Sequence, residues 1–176
     1  MSMLYATYET GLVGTLTLTS AGELLDGCWF EAAWPRLARG FREPSGRREP
    51  LERRDDLPAF ARATAWLDRY FAGDACDPRD LPLGGELTEF QRLVREELLD
   101  IPYGSTTTYG DIAARIAKRT GRRQSARAVG GAVGRNPLGV IVPCHRVVGA
   151  DGSLTGFGGG MPAKVALLRH EGVRFA

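Results

Sequence analysis

The chain has 176 residues, 43% of them hydrophobic and 25% charged, with a formal net charge of +2. That composition suits one ordinary globular domain or two small ones, and it excludes a disordered or low-complexity chain. No apolar run approaches the roughly 20 residues of a membrane-spanning helix, and three scattered cysteines with two histidines give neither a disulfide framework nor metal-ligand spacing.

The start, "MSMLYATYETG", lacks the basic and apolar stretches of a signal peptide. "MLYATY", "GTLTLT" (14–19) and "ELLDGCWF", set apart by glycines, predict a small antiparallel sheet. In the second strand Leu16 and Leu18 take one face and three threonines the other, the pattern of a half-buried strand. "PRLARGFREPSGRREPLERRDDLP" (35–58) has no apolar period and reads as an irregular surface segment. In "AFARATAWLDRYFAG" (59–73), Phe60, Ala63, Trp66, Leu67 and Tyr70 recur at helical spacing, and Gly73 closes the helix. "DACDPRDLPLGGE" (74–86) is a turn-rich connector. Cys76 is expected to be exposed in it, and Cys28 to sit in the core. These elements give an α/β N-terminal domain over residues 1–80, followed by a mostly α-helical domain over residues 81–176.

In the second half, Thr88 and Gln91 form a T-x-x-Q capping box that opens a helix with Phe90, Leu93, Val94 and Leu98 on one side. "IPYGS" ends it. Thr108 caps "YGDIAARIA", a basic loop "KRTGRR" (118–123) follows, and Ser125 caps "ARAVGGAVG". Two short capped helices with a brief polar link match a helix-turn-helix, whose second helix enters a DNA groove. Many helix pairs that merely pack together share the pattern. Gly130, Gly131 and Gly134 each cost a helix about 1 kcal/mol relative to alanine, which implies close backbone approach, either to another helix or to an outside partner. Residues 1–104 carry 12 Arg against 18 Asp and Glu, a net of −6. Residues 105–135 carry Arg115, Lys118, Arg119, Arg122, Arg123, Arg127 and Arg135 against Asp111 alone, a net of +6. This local charge suits a polyanion partner or a solvated arginine-rich surface.

"GVIVPCHRVVG" (139–149) sets Cys144 after an apolar run, 140–142, that reads as a buried strand ended by Pro143. A thiol reacts as its thiolate and needs a base, here His145, either directly or through a water. Glu171, on a last helix opened by Pro162 and closed by Gly172, is the candidate to orient that base. Taken alone, the Cys-His dipeptide favours a plainer arrangement, a buried cysteine beside a hydrogen-bonded histidine.

The longer string "NPLGVIVPCHRVVGADGSLTGFGGGMPAKVALLRHEG" resembles the O6-alkylguanine-DNA alkyltransferases, also called methylated-DNA–protein-cysteine methyltransferases. Residues 143–147 match their PCHR[VI] core, and "IPYGSTTTYGDIA" and "ARAVGGAVGRNP" match in order and spacing, together spanning residues 88–172. The resemblance implies a single-use DNA repair enzyme that flips an O6-alkylguanine, or an O4-alkylthymine, out of double-stranded DNA and moves the alkyl group to Cys144. His145 would be the base acting through a water, Glu171 would orient it, and Tyr109 would press on the 3′ phosphate and donate a proton to the departing guanine. Arg127 would fill the gap in the base stack, with Ser125, Arg135, Arg122 and Arg123 on phosphates. Asn136 would brace the turn. Phe157, Gly158 and Gly159 would wall the base pocket, and the carbonyls of Val147 and Cys144 would read the guanine amino group. No cofactor, metal or membrane is implied. The protein would act as a monomer in the cytoplasm, at the nucleoid in a bacterium or in the nucleus of a eukaryote. Four departures stand out: the "KRTGRR" segment is long, Phe157 replaces a frequent tyrosine, Arg95 stands where tryptophan is frequent, and the zinc ligands of some members have no counterparts. The competing expectations are a non-catalytic sensor of alkylated DNA and a thiol hydrolase.

Overall fold

Alternation of apolar and polar residues produces β1 (Met3–Glu9), β2 (Thr15–Ser20) and β3 (Gly27–Phe30) in the computed structural model, which describes residues 3–33 and 51–174. β1 and β2 pair antiparallel with Ala6 opposite Leu18, and β2 and β3 pair antiparallel with Leu18 opposite Cys28. A fourth strand, β4 (Leu51–Arg53), pairs parallel with β1, giving the order β3-β2-β1-β4. The sheet is therefore mixed rather than wholly antiparallel, and residues 51–53 of the segment expected to be irregular are a strand. A parallel neighbour needs a long connection, and 20 residues of sequence separate Phe30 from Leu51. Residues 35–50 of that segment lie outside the described residues.

β2 is buried on both faces, not one. Leu16 and Leu18 are in the core, but so are Thr17 and Thr19. The strand lies between β1 and β3, and Thr19 Oγ1 is satisfied by the Trp29 indole N–H, which donates to it at 3.0 Å. Alternation marks which residues face opposite ways, not whether each face meets solvent.

α1 (Pro58–Phe71) buries the face read from the sequence: Phe60, Ala63, Trp66, Leu67 and Tyr70. The connector folds back on it. Trp66 Nε1 donates to the Asp77 carbonyl at 2.9 Å, and Cys76 is buried with its thiol 3.8 Å from the Trp66 carbonyl. Cys76 is thus not the exposed thiol expected of a turn. Farther on, Leu25 N donates to Pro82 O at 2.9 Å, Gly84 N to Leu25 O at 2.8 Å and Gly85 N to Asp26 Oδ1 at 2.9 Å. These bonds tie residues 82–85 to the strands, and the chain divides into two compact units, Met1–Gly85 and Glu86–Ala176.

The second unit holds α2 (Glu89–Leu99), β5 (Thr107–Thr108), α3 (Tyr109–Thr120), α4 (Ala126–Val133), β6 (Val147–Val148) and α5 (Met161–His170). β5 and β6 pair in parallel, Thr107 with Val147. α2 and α3 both start with full capping boxes, Thr88 with Gln91 and Thr108 with Asp111, and Ser125 caps α4. α3 runs through Thr120, so half of "KRTGRR" is helix; Gly121, at φ 69°, is its left-handed cap. Val94, Leu98, Ile112, Ile116, Val129 and Leu167 form the core. Glu97 is buried among them. It accepts from Arg115 Nε at 2.7 Å and Arg119 Nη1 at 2.8 Å, while Arg119 also meets Glu96 at 2.5 Å. Two of the seven cations of the basic segment are therefore neutralised inside the unit. No described helix is long and apolar enough to cross a membrane.

Thr108→Ala removes the side-chain acceptor for the Asp111 amide and the hydroxyl that donates to its carboxylate. Loss of such a cap costs about 1 kcal/mol. Chemical denaturation should show a lower midpoint at unchanged slope; an unchanged midpoint would mean that the box adds nothing to stability.

Candidate active site

The run at 140–142 is buried but is not a strand. Residues 139–142 make a turn in which Val140 takes φ 67°, a left-handed conformation that a β-branched residue adopts only under constraint. The constraint is one side-chain amide. Asn136 Nδ2 lies 3.1 Å from Val142 O, 3.3 Å from Leu138 O and 3.2 Å from Cys144 Sγ, while its Oδ1 accepts from Leu138 N at 3.2 Å. The amide has only two hydrogens for these three acceptors, so they share. Carbonyls that a ladder would have satisfied are met by this side chain instead, which is why apolar content alone misled the strand expectation.

Pro143 leads into a single 3-10 turn, Cys144–Arg146, which sends successive side chains in different directions. Cys144 meets Asn136. His145 Nε2 lies 2.8 Å from Glu171 Oε1, and both side chains are fully buried. Glu171, the residue that ends α5, also accepts from Arg146 Nε at 2.8 Å, Arg146 Nη2 at 2.9 Å and Gly104 N at 3.1 Å. Arg146 Nη1 donates to Ile101 O at 2.7 Å, and its guanidinium stands 5.7 Å over the Tyr103 ring. Gly104 has φ 73°, and a Cβ there would lie 2.9 Å from the Glu171 carbonyl oxygen, so the turn requires glycine.

These contacts fix the protonation states. Burial alone would raise the Glu171 carboxyl, but the bonds from His145 and Arg146 outweigh it and hold the group well below the usual carboxylate range. Burial pushes His145 down, against the pull of Glu171, so its ring is neutral at pH 7. An ionised Glu171 only accepts, so Nε2 carries the ring hydrogen and Nδ1 is the lone-pair nitrogen. That Nδ1 is buried with no hydrogen-bond partner among the described residues. Burial also pushes the Cys144 thiol up, against the Asn136 bond and the charge of Lys164, so the resting group is a neutral thiol.

Lys164 is fully buried on α5, its Nζ donating to Val147 O at 2.6 Å and to Thr155 O at 2.8 Å. Burial lowers its pKa, and Cys144 opposes this. Sequence reasoning missed Lys164, Arg146 and the Tyr103–Gly104 turn. A signal for Lys164 exists: it stands three and four residues before Leu167 and Leu168, on the apolar face of its helix.

The remaining candidates fall into two groups. Phe157 stands edge-on to the His145 ring at 6.5 Å, and Gly158 and Gly159 continue its turn, closed by Gly160 N donating to Phe157 O at 3.0 Å. The Val147 carbonyl already accepts from Lys164, and that of Cys144 accepts from Val147 N. Tyr109, the first residue of α3, has its hydroxyl 3.5 Å from Thr155 Oγ1. Ser125, Arg127 and Arg135 instead line a groove of about 700 Å³ with Thr88 and Gln91, whose lining does not include Cys144, and Arg122 and Arg123 are exposed in the link before α4.

A buried thiol followed in sequence by a histidine whose Nε2 is held by a carboxylate is an arrangement suited to a cysteine nucleophile, here joined in one unit to a pair of short helices with exposed arginines. Residues 89–173 match the family model for the 6-O-methylguanine DNA methyltransferase DNA-binding domain. A methylated-DNA–protein-cysteine methyltransferase of Haemophilus influenzae is 38% identical over 99% of this chain and 90% of its own. One from Mycobacterium tuberculosis is 43% identical over 90% of this chain and 87% of its own. The crystal structure of M. tuberculosis OGT in complex with DNA superposes with a TM-score of 0.77 at 40% identity, covering 96% of this chain and 92% of that one. The O6-methylguanine-DNA methyltransferase of Pyrococcus kodakaraensis superposes at 0.65 with 27% identity, covering 97% and 99%. The chain belongs to the methylated-DNA–protein-cysteine methyltransferase family.

His145 makes stability depend on pH. Its folded pKa is lowered, so the unfolded chain takes up the proton first as pH falls. Stability should be level above the ordinary histidine value of about 6.5 and decline below it, by up to about 1.4 kcal/mol per pH unit, until the folded pKa is reached. Denaturation of wild type and His145→Gln between pH 7.5 and 5 checks this: the variant should lose most of the slope, and equal slopes would contradict a buried neutral His145.

Proposed function

We propose that this protein repairs double-stranded DNA by moving the alkyl group of O6-alkylguanine, or of O4-alkylthymine, to Cys144, once per molecule. The observation that carries the reading is the buried His145–Glu171 pair next to Cys144 on one 3-10 turn, with His145 Nδ1 left without a partner among the described residues. Guanine O6 lies inside the duplex, so the nucleotide must be extruded. Nδ1 takes the thiol proton through a bridging water, and the Lys164 ammonium stabilises the thiolate. Sulfur attacks the saturated carbon in line, the C–S bond forms as the C–O bond breaks, and the guanine leaves with a proton from Tyr109. The Asn136 amide holds Cys144 in place for attack. Phe157, Gly158 and Gly159 wall the base, which the carbonyls of Cys144 and Val147 read. This chemistry needs no cofactor. The product is a thioether, which has no electrophilic carbonyl for water to attack, so the protein is spent.

Arg127 fills the gap in the stack, and Ser125, Arg135, Arg122 and Arg123 contact phosphates without reading sequence. The glycines of α4 support this docking. A Cβ at Gly131 would meet only the Arg135 side chain, at 3.5 Å, and one at Gly130 only the Tyr109 ring, at 3.7 Å. These are ordinary contacts, so packing within the unit does not demand glycine at either position, whereas a close outside backbone would. The protein acts as a monomer in the cytoplasm, on the DNA of the nucleoid.

Titration with excess duplex bearing radiolabelled O6-methylguanine should leave one methyl per protein, on Cys144, by intact mass. Label kept on bound DNA would instead mean a sensor, and a product-to-protein ratio well above one would end the single-use reading. Cys144→Ser should abolish transfer while leaving duplex affinity nearly unchanged.

Arg127→Ala should slow repair of duplex far more than reaction with free O6-alkylguanine base, which has no stack to fill. Parallel rate measurements on the two substrates decide this, because equal losses would assign Arg127 to the fold or the pocket.

A further inference from the structure

Beyond the nucleophile, base and carboxylate, one buried cation is given no task by the transfer chemistry. Arg146 follows His145 directly, yet its side chain points to the far side of Glu171. It binds both carboxylate oxygens, at 2.8 and 2.9 Å, and is anchored behind by the Ile101 carbonyl at 2.7 Å and the Tyr103 ring. A buried charge is retained only when compensated. The groups facing the His145–Glu171 pair are Arg146 on the same turn, Cys144 before it, and Lys164 from α5, with Tyr103 stacked behind Arg146.

We infer that Arg146 is a positioning residue for the transfer reaction: its bidentate grip keeps Glu171 an acceptor only, and so keeps the His145 hydrogen on Nε2 and the base on Nδ1. The inference rests on the function proposed above. The charge balance carries it. With Arg146, the carboxylate and guanidinium cancel, and the imidazole can stay neutral. Without that cation, the buried pair of Glu171 and His145 bears a net negative charge with no partner on the guanidinium side. Such a pair takes up one proton. If the proton goes to the ring, Nδ1 is occupied. If it goes to Glu171, the carboxylic acid donates to Nε2 and the neutral ring must carry its hydrogen on Nδ1. Either way the nitrogen that should receive the Cys144 proton is blocked. Burial enforces this outcome, since water cannot supply the missing charge compensation at a fully buried pair.

The test follows single-turnover transfer from O6-methylguanine duplex against pH for wild type, Arg146→Gln and Arg146→Lys, each checked for folding by circular dichroism. In the glutamine variant the acid limb of the rate profile should move up by at least about one pH unit, so that it is slow at pH 7 and recovers at higher pH. The lysine variant, which keeps the charge, should keep the wild-type limb. A merely structural role would lower the rate equally at every pH; a folded glutamine variant with an unshifted limb therefore overturns the inference. Nitrogen-15 shifts of His145 in the wild-type protein give a reading that depends on neither variant folding nor activity. They should show Nε2 protonated and Nδ1 bare at pH 7, and a proton on Nδ1 overturns the inference. If wild type transfers no methyl, the proposed function fails instead, and the ring shifts still decide the tautomer.

Discussion

One buried carboxylate organises the second unit. Glu171 receives hydrogen bonds from His145, from two nitrogens of Arg146 and from the Gly104 amide. These donors come from the turn after α2 and from the 3-10 turn that carries the thiol, while Glu171 itself ends α5. Three segments far apart in sequence are thereby fixed to one side chain. Desolvating that carboxylate costs several kcal/mol, and only a nearly complete set of donors offsets it. The site is therefore specified as much by what satisfies Glu171 as by the groups nearest Cys144.

Asn136 plays a similar part on the other side of the sulfur. It replaces a strand ladder with a side-chain amide and holds Val140 in a backbone region that such residues avoid. Rigidity at the thiol thus comes from two polar side chains set into an apolar shell. The face of α4 is built on the opposite principle, from small residues with the exposed Arg127 and, just beyond, Arg135, which donates to the Gly131 carbonyl. One surface is preorganised, and the other is open to a polyanion.

Much of this was legible in the sequence because local chemistry decided it. The caps at Thr88, Thr108 and Ser125 act within three residues of themselves, and the buried face of α1 follows from spacing alone. Cys144, His145 and Glu171 could be named because nucleophile, base and orienting acid are a recurrent set and the PCHR string is distinctive. What stayed hidden depends on distant partners. β4 is a strand only because β1 offers it an edge, and the threonine face of β2 is buried with the Trp29 side chain bonded to Thr19. Cys76 is buried because the connector folds back on Trp66. Glu96 and Glu97 pair with two of the arginines that the charge count had left to a partner or to solvent. Lys164 was not singled out, because lysines are mostly on surfaces.

The thiol proposed to accept the alkyl group is 7% exposed and held neutral by its own burial. For an enzyme that turns over, a sluggish resting nucleophile would be a handicap. For one consumed by a single event, it determines shelf life. Small electrophiles and oxidants in the cell meet thiolates on open surfaces first. Burial keeps Cys144 protonated at rest, which slows its reaction with soluble reagents. Selectivity of this kind lies in time rather than in binding: the acceptor is preserved unspent until a flipped base reaches it.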